Sequence, residues 1–172
     1  MSLNIGEVKT NGFAQYLPVN LERPNLESYS KIYERNRHRV YSLAFWMSDN
    51  ELAAEQLMTQ TFCRAFAAGE MPTVDDIDRA LIRELREYMP IGQLTLSCMP
   101  SDRVLSVRRN TMRIDLERAV VQLPNTEKMI FLMHDVERYD HTRIARLLGI
   151  SEDSSIQGLH QARLRMRELL AK

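Results

Sequence analysis

The strongest constraint on the fold is the spacing of apolar residues, which recur every three or four positions in two separate blocks. The first block starts at Leu26 and the second near Thr111. Such spacing gives each helix an apolar stripe that must be buried against a neighbour. Between the blocks, residues 91–110 lose the period and include Gly92 and Pro100. The pattern predicts an all-α fold of two small helical domains joined by a linker.

The same pattern divides the chain into four segments. Residues 1–25 follow no period, and we expect them to be a flexible lead-in or a strap that packs on a domain. We assign residues 26–90 to a first domain of three helices, residues 91–110 to the linker and residues 111–172 to a second domain of four helices. A short alternation of leucines in the linker is compatible with a brief strand.

Residues that cap helix N-termini mark where several of the helices begin. Ser48, with Glu51 three positions later, predicts one start, and Thr73 with Asp76 predicts another. Single capping residues predict the three remaining starts in the second block: Asn125, Asp140 and Ser151.

Composition and charge exclude several classes of protein. The chain has 23 lysines and arginines against 23 acidic residues, so its formal net charge is zero. A protein that depended on phosphate contacts alone would normally be basic, and any DNA binding must therefore use a local patch. Because no nucleotide-binding loop, nucleophile motif or metal-ligand spacing occurs, we expect no enzyme, no metal and no cofactor.

Cysteine usage and hydropathy favour a cytoplasmic protein. Cys63 and Cys98 form no C-x-x-C pair, which is typical of free thiols in a reducing compartment. No apolar run reaches the roughly 18 residues that a membrane span needs. The first residues lack the basic start and apolar core of a signal peptide. We expect no membrane contact by the chain itself.

The stretch RIARLLGISEDSSIQGLHQARLRMRELL, residues 143–170, is typical of a helix-turn-helix. Ala145 and Gly149 stand four positions apart with apolar residues around them. A glycine just after the last periodic residue indicates the end of a helix, and the next helix follows at once. The second helix carries serines, a glutamine and a glycine where DNA-gripping residues are expected.

Two longer stretches resemble one family. YERNRHRVYSLAFWMSDNELAAEQLMTQTFCRAFAAG, residues 33–69, resembles conserved region 2 of bacterial sigma factors of the extracytoplasmic-function (ECF) group. LPNTEKMIFLMHDVERYDHTRIARLLGIS, residues 123–151, with LHQARLRMRELL after it, resembles region 4. The resemblance implies that both domains bind core RNA polymerase, that the first opens promoter DNA and that the second binds it.

The polymerase-facing surface of the family carries the pattern A-E-D-L-x-Q-E-x-F. Residues 54–62 read AEQLMTQTF here, so two of the three acidic residues have been replaced. The resemblance implies these polymerase-binding residues: Glu55, Leu57, Gln60 and Phe62. Weaker charge complementarity is expected to slow or loosen polymerase binding.

The helix expected after Thr73 departs further from the family, which has a basic, aromatic-bearing segment there. Residues 73–91 hold five acidic residues against three arginines, and Tyr88 is their single aromatic residue. Single-stranded DNA requires positive charge and stacking surfaces. We therefore interpret this segment as a solvated helix and not as a DNA contact.

The recognition helix of the family reads G-T-V-K-S-R-L-H-R-A-R, and residues 153–163 read DSSIQGLHQAR. The family lysine and two of its arginines are absent. The DNA-binding candidates that remain are Ser154, Gln157, His160, Gln161, Arg163, Arg165 and Arg167. They favour phosphate contacts over base readout, so we expect weak and strongly salt-dependent binding to DNA.

Two positions in this helix are expected to weaken it. Ser155 stands where the family has a buried valine, and Ile156 is the alternative inward residue if the helix is rotated. Gly158 costs about 1 kcal/mol relative to alanine inside a helix. Replacing Ser155 by valine and Gly158 by arginine is therefore expected to stabilise the domain and to strengthen DNA binding.

The sequence leaves three functions open. The first is an ECF-type sigma factor that joins RNA polymerase and directs transcription from a small set of promoters. The second is a sigma-like interaction protein that binds an anti-sigma factor or polymerase without recognising a promoter, which the lost charges favour. A plain helix-turn-helix regulator is the third.

Overall fold

A computed structural model of the chain describes residues 23–68, 71–96 and 111–171. Its helices are α1 (Arg23–Ser48), α2 (Glu51–Phe66), α3 (Val74–Tyr88), α4 (Arg113–Val121), α5 (Asn125–Phe131), α6 (His141–Leu148) and α7 (Glu152–Ala171), and a π-helical turn, Leu132–Val136, continues α5. No strand occurs in the three described ranges, so the predicted all-α fold is confirmed there. Most of the proposed lead-in and residues 97–110 of the linker lie outside the described residues.

Most predicted helix starts agree with the structure. At α3, the Thr73 hydroxyl and the Asp76 carboxylate cap each other's backbone amides, and these hydrogen bonds lower the pKa of Asp76 to about 2. Asp140 caps α6 by accepting a hydrogen bond from the Arg143 amide at 2.7 Å. Ser151 accepts one from the amide of Ser154 at 3.0 Å. Each of these side chains satisfies an amide that has no partner within its helix.

The cap of α2 differs from the prediction. Ser48 is the last residue of α1, and its hydroxyl donates to the carbonyl of Ala44 at 2.8 Å. Asp49 then turns the chain with a φ of 51°. The residue that caps α2 is Asn50, whose side chain accepts a hydrogen bond from the Ala53 amide at 2.9 Å. The turn residue shifts the cap by two positions, which a spacing rule does not detect.

The first domain packs α1, α2 and α3 around an aromatic and aliphatic core. Tyr29 meets the edge of Phe66 at a ring separation of 4.8 Å, and Tyr33 meets Phe62 at the same distance. Buried aliphatic side chains from α1 and α3 complete this core: Val40, Leu43, Ile77, Leu81, Ile82 and Leu85. The apolar stripes predicted from spacing are therefore the surfaces that meet.

In the second domain, α7 packs on α5, and α6 packs on α7 and on the π-helical turn. Ile130, Leu148 and Leu159 are buried at this junction. Gly149 ends α6 with a φ of 65°, a left-handed conformation that glycine adopts at little cost. This tight turn sets the angle at which α7 leaves α6, as the helix-turn-helix pattern predicted.

One carboxylate of α3 joins the two domains. Asp78 is 1% exposed and forms an ion pair with Arg39 of α1. It also accepts hydrogen bonds from the Tyr139 hydroxyl at 2.7 Å and from Arg143 of α6 at 3.0 Å. The Arg143 guanidinium lies 3.7 Å from the centre of the Tyr139 ring. The interpretation of residues 73–91 as a solvated helix is wrong at this position, because the partner domain covers the carboxylate.

Further contacts between α3 and α6 lie nearer the surface. Asp75 pairs with Arg143 at 2.7 Å and with Arg146 at 2.5 Å. At the other end of α6, Arg86 donates to the carbonyl of Leu148 at 2.5 Å. A cation at a helix C-terminus stabilises carbonyls that have no partner within the helix. We call these contacts, together with those of Asp78, the clasp.

The described part of the linker, residues 91–96, is also bound to the second domain. The Gly92 amide donates to the Thr126 hydroxyl at 3.1 Å. The amides of Thr95 and Leu96 donate to one carboxylate oxygen of Glu127, at 2.6 and 2.7 Å. Glu127 is fully buried, so these amides satisfy a charge that would otherwise be costly to remove from water. Residues 91–96 are therefore part of the second domain's surface and not a free tether.

Among the described residues, no helix combines the length and the apolar character required to span a membrane. This finding applies to the three described ranges only.

Removing the Asp78 carboxylate is expected to destabilise the whole chain. Asp78→Ala leaves Arg39 and Arg143 without their shared partner in a site that excludes water, which typically costs about 3 kcal/mol. Urea denaturation followed by circular dichroism measures the free energy of unfolding. The control is Glu87→Ala on the same helix, whose carboxylate is exposed. Equal stability of the two variants would contradict the role of Asp78.

Candidate functional site

The surface of α2 carries the first group of candidate residues. Glu55 and Gln60 are exposed, whereas Leu57 and Phe62 are buried among α1, α2 and α3. The family pattern therefore mixes two roles, since its acidic and polar members face outward and its apolar members hold the helix in place. Leu57 and Phe62 are not available to a partner, and their assignment as binding residues is corrected.

A shallow groove surrounds Glu55. It has a volume of about 260 Å³ and is lined by side chains of α1 and α2: Arg37, His38, Tyr41, Met58 and Thr59. One turn earlier, Leu52 is 65% exposed and lies on the same side of α2 as Glu55 and Gln56. Apolar spacing alone does not distinguish this exposed leucine, two residues after the Asn50 cap, from the buried leucine of the same helix.

The recognition helix α7 presents part of the predicted DNA-binding set. Gln157, His160 and Arg167 are exposed, while Ser154 and Arg165 are half-buried. Gln161 is 3% exposed, and its amide has no hydrogen-bond partner among the described residues. Its assignment as a DNA contact is corrected, because its position on α7 faces the interior.

The start of α7 is not rotated from the family register. Ser155 is fully buried, and its hydroxyl lies 2.9 Å from Nδ1 of His141. Ile156 is 48% exposed and does not take the inward position. The expected inward role of Ser155 agrees with this geometry, and the buried hydroxyl has a polar partner that the sequence did not reveal.

Gly158 faces inward, against the expectation that this position points toward DNA. A β-carbon there would lie 2.6 Å from Cδ1 of Ile130 and 2.8 Å from Cδ2 of Leu94. The missing side chain thus makes room for a linker leucine against α7. The expectation that Gly158→Arg stabilises the domain and strengthens DNA binding is therefore corrected. The arginine would displace packed side chains before it reached solvent.

The arginines of the helix-turn-helix are almost all engaged by carboxylates. Arg163 pairs with Asp135 at 2.6 Å, and Arg165 pairs with Glu168 at 2.9 Å, both within the second domain. Two further arginines, on α6, belong to the clasp and were not singled out by the sequence analysis. Arg143 and Arg146 lie three positions apart on this short helix, and that spacing indicates that both side chains lie on one face.

A pair of stacked histidines supports the turn of the helix-turn-helix. The rings of His134 and His141 lie 4.7 Å apart at an angle of 24°. Burial lowers the pKa of His141, and the neighbouring His134 and Arg163 lower it further, while Glu152 and Asp140 act in the opposite direction. No group of three or more metal-ligating side chains occurs in the described ranges. The two rings pack against each other, and His141 also contacts the Ser155 hydroxyl of α7.

Comparisons with known proteins found matches for the C-terminal part of the chain and for most of its length. The family described as sigma-70, region 4, matches residues 113–166, which run from α4 into α7. Over 162 residues, the chain is 25% identical to the ECF RNA polymerase sigma factor SigE of Mycolicibacterium smegmatis. That alignment covers 86% of this chain and 63% of that protein, so the chain spans less than two thirds of its relative's length. These matches confirm the resemblance that the residues suggested.

Placing a charge at Gly158 is expected to destabilise the fold, whereas the same charge at Ile156 is expected to have little effect. Gly158→Arg is expected to lower the melting temperature, because overpacking typically costs about 1–3 kcal/mol. Ile156→Arg, at an exposed position, is expected to change stability by less than about 0.5 kcal/mol. Thermal unfolding of both variants provides the comparison. A melting temperature for Gly158→Arg at or above that of the original chain would show that Leu94 is not held against α7.

Stability is expected to fall as the solution is acidified through the ordinary pKa of histidine, 6.5. The folded chain binds a proton at His141 less readily than the unfolded chain, so the free energy of unfolding decreases as pH drops through this value. Urea denaturation at a series of pH values between about 8 and 5 measures the slope. His141→Gln is expected to flatten it, and an unchanged slope in that variant would exclude His141 as the cause.

Proposed function

We propose that this chain, a divergent relative of the ECF sigma factors, binds core RNA polymerase and directs promoter-specific transcription initiation. The observation that carries the proposal is the order of its parts. A three-helix domain that resembles region 2 precedes a helix-turn-helix domain that matches sigma-70 region 4 over residues 113–166. The role is a non-enzymatic one, since binding surfaces are all that it requires.

The polymerase-binding surface that we propose is the exposed side of α2. Leu52 is an exposed apolar residue with Glu55 and Gln56 beside it, and Gln60 extends the surface by one turn. An apolar anchor with a polar and acidic rim is the usual anatomy of a protein interface. A single acid in place of the family's three leaves less electrostatic steering, so association is expected to depend on the apolar contact.

The DNA-binding surface that we propose combines α7 with the arginines of α6. Gln157 and His160 are exposed near the start of α7 and have hydrogen-bonding groups for bases or phosphates. Arg167 lies further along the same helix. Because few cations remain, binding by the free chain is expected to be weak and strongly salt-dependent.

A second candidate is a sigma-like interaction protein that binds polymerase or an anti-sigma factor without promoter recognition. The acidic residues of α3 and their engagement of α6 arginines favour it, because both reduce the charge available to DNA. Run-off transcription separates the candidates, using core polymerase and the DNA upstream of the chain's own gene. A discrete transcript supports the sigma factor, whereas polymerase capture without a transcript supports the interaction protein.

Introducing an arginine at either of two exposed positions on α2 is expected to weaken capture of core RNA polymerase. Leu52→Arg and Glu55→Arg each replace part of the proposed surface, and a loss at an interface anchor typically costs about 1–2 kcal/mol, or about five- to thirtyfold in affinity. Pull-down with purified core polymerase measures the effect. Glu27→Arg, an exposed position near the start of α1, is the matched control. Undiminished capture by both α2 variants would remove this surface from the proposal.

A further inference from the structure

We infer that the acidic face of α3 is an internal competitor of DNA for the arginines of α6, so that the chain binds DNA phosphates tightly only after the clasp opens. The inference rests on the proposed function, since it assumes that the helix-turn-helix meets DNA. It adds a phosphate-binding pair, Arg143 and Arg146, and names what occupies that pair in the closed chain.

The contacts place carboxylate oxygens where phosphate oxygens would bind. Asp75 lies 2.7 Å from the guanidinium of Arg143 and 2.5 Å from that of Arg146, so it bridges the two arginines. Asp78 lies on the other side of Arg143 at 3.0 Å. Carboxylates and phosphates present the same kind of acceptor to a guanidinium, and both accept short, charge-assisted hydrogen bonds. The two occupants therefore exclude each other.

The position of the arginines in the motif explains why phosphate is the expected competitor. In a helix-turn-helix, the first helix crosses the DNA backbone while the second enters the major groove. Here the first helix is α6, and its cations are Arg143 and Arg146. Cations on that helix are placed to contact phosphates, which fix the orientation of the domain on the duplex.

The paired arginines of α7 differ from those of α6, because their partners lie in the same domain. Arg163 and Arg165 pair with acids of their own domain, so these pairs are retained whether the clasp is open or closed. The pairs made by α6 cross between domains and are lost when the domains separate. Opening therefore changes the charge available to DNA at α6 and leaves it unchanged at α7.

The clasp has an inner and an outer part. Asp78 is buried and provides the inner attachment, while Asp75 is 31% exposed and Arg146 is 64% exposed. Exposed ion pairs are weak and are screened by salt. A polyanion can therefore compete for the outer pair at modest cost, and a variant of Asp75 tests the competition without disturbing the buried carboxylate.

The test measures binding of the full chain to a labelled duplex of about 30 base pairs and mixed sequence, at low salt, where phosphate contacts dominate. Asp75→Asn frees Arg146, leaves Arg143 with Asp78, and is expected to tighten binding by about three- to tenfold. The matched control is Glu87→Gln, which removes the same charge from the same helix; among the described residues, the ion-pair partner of Glu87 is Arg64 of the first domain. Its affinity is expected to stay within about twofold of the original chain.

A third variant tests whether Arg146 is the residue through which Asp75→Asn tightens DNA binding. Asp75→Asn combined with Arg146→Gln is expected to lose the gain in affinity, and circular dichroism melting checks that every variant is folded. Equal gains in Asp75→Asn and Glu87→Gln would reduce the effect to net charge and overturn the inference. Unchanged binding in Asp75→Asn, or a gain that survives the loss of Arg146, would overturn it as well.

Polymerase capture separates this inference from the proposed function. If the chain fails to capture core polymerase but Asp75→Asn still tightens DNA binding through Arg146, the proposed function fails and the competition between α3 and DNA stands. If capture and transcription succeed while Asp75→Asn leaves DNA binding unchanged, the proposed function stands and the competition is excluded.

Discussion

A carboxylate that has almost no contact with water requires cations and hydrogen-bond donors around it, and Asp78 obtains them from both domains. Arg39 approaches from α1, and Tyr139 and Arg143 approach from the second domain. Burial and the hydrogen bond to Asp78 raise the pKa of Tyr139, so its hydroxyl keeps the proton that it donates. Separating the two domains would remove Tyr139 and Arg143 and leave this buried charge with Arg39 of its own domain. Asp78 therefore favours the observed position of the domains.

The linker also satisfies a buried carboxylate, and here the donors are backbone amides. Two amides of the linker satisfy the buried carboxylate of Glu127, and Leu94 packs where Gly158 has no side chain. A residue that weakens the isolated helix α7 therefore allows a contact between segments that are distant in sequence. The glycine's cost in helix propensity is local, whereas the packing that it permits belongs to the assembled second domain.

Internal contacts engage much of the charge on α3 and on the helix-turn-helix. Acidic residues of α3 face the arginines of α6, and acids of the second domain hold Arg163 and Arg165. A chain with zero net charge can thus carry cations on a helix-turn-helix and still present few of them to solvent. The inferred competition requires that the arginines paired with Asp75 exchange a carboxylate for a phosphate.

Apolar spacing and capping residues determined the number of helices, their order and the helix-turn-helix, because these depend on residues three or four positions apart. The sequence also placed Ser155 inward and Glu55 on the surface of α2. It did not distinguish binding residues from core residues at Leu57, Phe62 and Gln161, since a shared motif records both. Only the tertiary structure decided that α3 faces α6 and that Gly158 receives Leu94, because buried charges and close packing depend on partners far apart in the chain.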